Sequence, residues 1–165
     1  MQPLSLAITN LEDLSSLATC VADLSDDIDI ILLQGDLGTG KSAFARCFLT
    51  HLDASLIEIP SPTFTLVQTY STPTKEVWHF DLYRLTNQEE VYEIGIEEAF
   101  VSGVSLIEWP ERFYYQSLRD YLHIRLDFAP SSVLTGQRSA TLYGAGKWAE
   151  RLPIIEKKYR LAPTQ

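Results

Sequence analysis

The chain has 165 residues, a hydrophobic fraction of 45% and a formal charge of −9. That is enough apolar material for one packed domain, and the wrong sign for a free-standing binder of nucleic acid or anionic membrane. The longest apolar run, Ile30 to Leu33, falls far short of the span of about 20 residues a membrane helix needs, and the opening MQPLSLAITN lacks the basic start and long apolar stretch of a secretory signal.

In chain order, LSLAI (4–8) alternates like a short strand. Thr9 and Glu12 have capping-box spacing, and Leu11, Leu14, Leu17, Ala18, Val21 and Leu24 form one helical stripe. Ser25 to Asp29 reads as an acidic turn. Ile30 to Leu33 reads as a strand buried on both faces, as in a parallel sheet. A glycine-rich loop follows, then a helix from about Ser42 to Leu52 with Ala45, Phe48, Leu49 and Leu52 on one face. Thr63 to Tyr70 and Val77 to Leu82 read as an antiparallel hairpin joined by STPTK. Thr86 and Glu89 repeat the capping-box spacing before a short helix. Val104 to Ile107 is a second buried strand, closed by Pro110. Tyr121 to Phe128 alternates, Ala140 to Tyr143 is a strand candidate, and Lys147 to Arg160 reads as a helix interrupted at Pro153. The expected fold is α/β: a single P-loop NTPase-like domain over residues 1–165, with a mixed sheet flanked by helices. Cys20 and Cys47 both fall in helical segments, and their number and spacing argue against a disulfide scaffold or a cysteine zinc site and fit a reducing, cytoplasmic setting.

Residues Gly35-Asp36-Leu37-Gly38-Thr39-Gly40-Lys41-Ser42 satisfy G-x-x-x-x-G-K-[ST], with a buried strand before and an amphipathic helix after. Glycines let the backbone turn its N–H groups inward, and the helix N-terminus adds positive dipole where phosphates would lie. Lys41 would reach the β- and γ-phosphates. Ser42 would offer its hydroxyl to Mg²⁺, which prefers hard oxygen ligands. Glu108 ends the strand VSLIE, in the position of a Walker B carboxylate, where it could ligate Mg²⁺ or polarise the attacking water. Asp81, in HFDLYR, could orient that water, sit beside the metal, or merely close a turn. Thr63, between prolines and a strand, could sense nucleotide or simply stiffen its loop. His79 reads as a packed histidine. Absence of an [NT]-K-x-D stretch disfavours a GTPase and leaves adenine as the default base.

Four stretches together, LQGDLGTGKS (33–42), SPTFTLVQTY (61–70), HFDLYRL (79–85) and LIEWPER (106–112), resemble the TsaE (YjeE) family of small bacterial P-loop ATPases. The residues after about 115 carry no matching motif. The resemblance implies ATP hydrolysis with Mg²⁺, in a complex with TsaB and TsaD that makes threonylcarbamoyladenosine in tRNAs reading codons that begin with A. It implies that TsaD performs the carbamoyl transfer and that tRNA is met only through the complex, with no membrane partner. Carried onto this chain, residues 35–42 cradle the triphosphate, Ser42 and Glu108 hold Mg²⁺, and Thr63 and Asp81 line the γ-phosphate side. Lys41, Thr63, Asp81 and Glu108 form the catalytic set. Thr9 and Asn10, at the start of the first helix, are the expected adenine contacts. Arg84 and Arg112 are candidate cis arginines, and low activity in isolation is expected. Two rivals stand beside this reading. One is a small-molecule P-loop kinase drawing on Arg112, Arg119, Arg125 and Arg138; the other is a nucleotide-gated binding module without productive hydrolysis.

Overall fold

The computed structural model describes residues 2–129 and 137–161. Its strands are β1 (Leu4–Ile8), β2 (Ile30–Gln34), β3 (Val67–Ser71), β4 (Glu76–Asp81), β5 (Val104–Glu108), β6 (Tyr121–Phe128) and β7 (Arg138–Ala145). They form one seven-stranded sheet in the order β1-β7-β6-β2-β5-β4-β3. The four central strands β6, β2, β5 and β4 run parallel, and antiparallel strands finish both edges. The expected mixed α/β architecture is present.

The run IILL is apolar throughout because β2 lies mid-sheet and is covered on both sides. Ile31 and Leu33 pack into the cluster of α1 (Leu11–Leu24), α2 (Lys41–Leu52) and α5 (Lys147–Leu161). Ile30 and Leu32 join Phe80, Leu82 and Ile107 under α3 (Glu90–Glu93) and α4 (Ile96–Ser102). Two-sided burial pins the register, so the C-terminal ends of β2, β5 and β4 arrive side by side: Leu33 opposes Glu108, and Glu108 opposes Asp81.

Several local expectations shift. The first helix is capped by Asn10, whose Oδ1 accepts from the Asp13 N–H at 2.9 Å, while Asp13 Oδ2 accepts from the Thr9 N–H at 2.7 Å and from its hydroxyl. The capping pair is therefore Asn10/Asp13, one residue on from Thr9/Glu12, with Asp13 reaching back past the cap residue to Thr9. In the same way Glu90, not Glu89, receives the Thr86 hydroxyl at 2.9 Å and the Asn87 N–H at 2.8 Å. The hairpin begins later than Thr63: strand β3 starts at Val67 because Leu66 turns back to donate to Pro62 O at 2.6 Å with φ +66°. Pro153 does not interrupt α5. It is exposed in the second turn, so the helix forgoes one hydrogen bond on its solvent side and continues.

The acidic turn holds an unexpected buried charge. Asp29 is 1% exposed and is reached by Lys147 Nζ at 2.8 Å, Arg151 Nη1 at 2.7 Å and Trp148 Nε1 at 3.1 Å. Helix α5 is thereby bolted to the N-terminal end of β2. Both cysteines are free, and among the described residues no helix is long and apolar enough to cross a membrane.

His123 on β6 is buried, with Nε2 2.9 Å from Gln34 Oε1 and its ring between Tyr115 and Tyr143. Burial, reinforced by the Arg125 cation, pushes its pKa from 6.5 down to about 4. Between those values the unfolded chain takes up a proton that the folded chain refuses. Folding stability is therefore complete above pH 6.5 and declines as pH falls towards 4. Urea unfolding at pH 7 and pH 4.5 should show the wild type losing about 1–3 kcal/mol more than His123→Gln over that interval; equal losses would reject the assignment.

Candidate functional site

The loop 35–40 leaves β2 at the carboxyl end of the parallel strands, where ligands of open α/β sheets bind. All three of its glycines take positive φ, and two positions show most directly why glycine is needed. Gly40, with φ +114°, serves as the N-cap position of α2. Gly35 has φ +148°, and a Cβ there would collide with Leu126 O and lie 2.6 Å from Thr39 Oγ1. Thr39 is buried and closes the loop, donating from its hydroxyl to Asp36 O at 2.8 Å.

Lys41 opens α2 yet is only 5% exposed. Its Nζ donates to Gly35 O at 2.6 Å and Asp36 O at 2.9 Å, and lies 4.1 Å above the Trp109 ring. Burial lowers its pKa, opposed by the carboxylates of Glu108 and Asp81. Next to it, Ser42 Oγ donates to Glu108 Oε2 at 2.9 Å. The second oxygen of Glu108 lies 2.8 Å from His79 Nε2, and both residues are almost completely buried.

Asp81 stands beside Glu108 in the β4–β5 register. Its Oδ2 accepts from the Thr63 hydroxyl at 2.7 Å, and its Oδ1 accepts from the Tyr83 N–H at 3.0 Å. Ser61 Oγ lies 2.8 Å from Thr63 Oγ1 and completes this cluster. Two non-glycine residues with positive φ flank the carboxylates: Leu66 at +66°, whose carbonyl accepts from Asp81 N at 3.0 Å, and Trp109 at +61°, directly after Glu108 and before Pro110. Such conformations cost of order 1–3 kcal/mol each and persist where surrounding contacts enforce them. Trp109 is held by Tyr83, their ring centroids 4.9 Å apart.

Lys41, Ser42, Thr63, Asp81, Tyr83, Glu108 and Trp109 line a cavity of about 460 Å³ together with Leu11, Leu14, Leu37 and Arg138. The structure thus brings Lys41, Ser42, Thr63, Asp81 and Glu108 to one place. Thr9 and Asn10 do not line it: both are exposed and spend their polar groups on capping α1. Arg84 and Arg112 do not line it either, and Arg84 covers the exposed Phe64 ring at 5.0 Å. Among Arg112, Arg119, Arg125 and Arg138, the cavity includes Arg138 alone, which donates to Gly38 O at 3.2 Å.

His79 was not legible as a site residue, and Arg138 was marked only as one of four scattered arginines open to a kinase. His79 shares the Asp81 face because strand residues two apart point the same way, which is a usable signal in hindsight. Arg138 is 100 residues from its partner Gly38, and no local pattern marks it. Among the described residues no group of three or more His, Cys, Asp or Glu side chains is arranged to hold a metal. Ser42 Oγ and the Glu108 carboxylate supply hard oxygens, the donor type suited to Mg²⁺, which commonly takes one or two protein ligands and completes its shell with phosphate and water.

The model of the family described as Threonylcarbamoyl adenosine biosynthesis protein TsaE matches residues 8–138. A protein of Rickettsia felis named tRNA threonylcarbamoyladenosine biosynthesis protein TsaE is 45% identical over 106 residues, which cover 64% of this chain and 62% of that protein. A Bacillus subtilis protein of the same name is 32% identical over 125 residues, covering 75% and 77%. The crystal structure of Bacillus subtilis YdiB matches with a TM-score of 0.72 at 25% identity, covering 96% of this chain and 95% of that one.

Gly35→Ala should force the loop off the Leu126 carbonyl. Strain and crowding of this kind lower stability by about 1–3 kcal/mol, and denaturant unfolding should show that loss. Wild-type stability would contradict the close approach described.

Proposed function

The chain belongs to the TsaE family, and on that premise we propose that it is an ATP-binding and ATP-hydrolysing subunit acting with TsaB and TsaD to form threonylcarbamoyladenosine in tRNAs reading codons that begin with A. The observation that carries this reading is the hydrogen bond from Ser42 to Glu108. It joins the end of the phosphate loop to the end of the neighbouring parallel strand, with Asp81 alongside.

The backbone amides of residues 35–40 and the N-terminus of α2 receive the phosphate tail, with Lys41 supplying the cation. Donating its proton to Glu108 leaves the Ser42 oxygen with its lone pairs free for magnesium. Magnesium, when bound, neutralises charge on the phosphate oxygens. Asp81 is oriented by Thr63 and the Tyr83 N–H, each carboxylate oxygen keeping acceptor capacity to hold a water toward the γ-phosphate. The base is assigned to the apolar wall of Leu11, Leu14 and Leu37 with the Arg138 guanidinium, in place of Thr9 and Asn10. Because neither Arg84 nor Arg112 lines the cavity, and Arg138 is assigned to the base, full turnover is assigned to the assembled complex. The charge of −9 suits a subunit that meets tRNA only through its partners, in the cytoplasm.

The assembly is tested by capture of TsaB and TsaD on this chain with and without ATP; capture that fails in both conditions rejects it. Calorimetry should show Lys41→Ala raising the Kd for ATP at least about tenfold, since a charge-assisted phosphate contact is removed. Asp81→Asn should leave that Kd within about twofold while slowing hydrolysis in the complex by about 100-fold, the scale of a lost general base. Equal loss of binding and turnover would instead make Asp81 a structural residue.

A further inference from the structure

His79 is 1% exposed, on the face of β4 that it shares with Val77 and Asp81. Its neighbours on that face, Val77 and Leu106, are apolar core residues. An imidazole buried merely to fill space would be poorly chosen there, because its nitrogens lose water. Among the described residues, Nδ1 has no hydrogen-bond partner. The ring's polar contact is the one from Nε2 to Glu108 Oε1 at 2.8 Å. Conversely, Glu108 is 2% exposed, and its carboxylate is gripped on one oxygen by Ser42 and on the other by His79. Each residue offsets the other's desolvation, and the two contacts together fix the plane of the carboxylate.

We propose that His79 is a positioning residue: its Nε2–H holds Glu108 in the rotation that accepts the Ser42 proton, so that the Ser42 oxygen faces the phosphate loop ready for Mg²⁺. The inference rests on the assignment of magnesium to Ser42 and Glu108, and it concerns a residue that touches neither nucleotide nor metal. Buried partners that orient metal-binding groups typically set affinity by 10- to 100-fold.

Glutamine and asparagine separate positioning from packing. A glutamine amide nitrogen can occupy the Nε2 position and an asparagine nitrogen the Nδ1 position, so His79→Gln keeps the donor to Glu108 and His79→Asn withdraws it. The purified full chain is titrated with ATP at a series of Mg²⁺ concentrations, and without Mg²⁺, by calorimetry; thermal melting is followed in parallel. The expected result is that His79→Asn needs about tenfold more Mg²⁺ for the same tightening of ATP binding. His79→Gln should stay close to wild type, and metal-free ATP affinity should be equal in all three. Wild-type Mg²⁺ dependence in a folded His79→Asn overturns the proposal, as does equal impairment of the Gln and Asn variants.

A second measurement uses the wild-type ring itself. A solvent-protected Nε2 proton should appear in ¹⁵N-resolved NMR and move in Glu108→Gln; a ring protonated at Nδ1 alone would overturn the proposal without any variant at position 79. If Ser42→Ala has wild-type Mg²⁺ dependence, the magnesium assignment fails first and takes this inference with it, an outcome distinct from failure at His79 alone.

Discussion

A carboxylate with almost no access to water, Glu108, ties the site together. Its desolvation is offset because Ser42 and His79 bond both oxygens, with the Lys41 ammonium lining the same cavity. Those partners come from different elements: Ser42 from the helix after the phosphate loop, His79 from the adjacent parallel strand. Satisfying one buried charge therefore fixes how α2, β4 and β5 meet. The two-sided apolar burial of β2 and β5 supplies the rigid frame, and the polar contacts at its carboxyl edge supply the orientation.

The backbone on either side of that edge is held in conformations a free chain would avoid. Leu66 and Trp109 both take positive φ, yet each is locked by contacts that bear on the site. Leu66 accepts from the Asp81 N–H. Trp109 carries the Lys41 ammonium on its face and packs on Tyr83. The local cost is offset by the bulk of the sheet, and the strained residues are those that aim Asp81, Glu108 and Lys41 into one cavity.

Much of this was legible because it is local. A strand buried on both faces reads as an unbroken apolar run, the phosphate loop reads from its glycines and lysine, and an acidic residue at a strand end points to the carboxyl edge of the sheet. What escaped was decided by partners distant in the chain or by competition between neighbours. Asn10 outcompeted Thr9 as the cap, which removed both from the cavity wall and left Leu11 and Leu14 there. The Thr63 side chain is taken up by Asp81 and Ser61 bonds to Thr63, and the main chain at Leu66 folds back on Pro62, so the strand that residue types allowed from Thr63 starts only at Val67. His79 looked like core because its burial is core-like; only the Glu108 oxygen, 29 residues away, gives its nitrogen a purpose.

The grip of α5 on Asp29 bears on where the smallest self-sufficient piece of this chain ends. The stretch that matches the family stops at residue 138, before Lys147, Trp148 and Arg151. Cutting there would remove β7, strip a water-excluded carboxylate of all three side-chain partners and uncover the sheet face that Trp148, Leu152 and Ile155 now cover. The family match and physical autonomy thus have different borders here: the strand and helix beyond residue 138 are ones the matched part needs in order to stand.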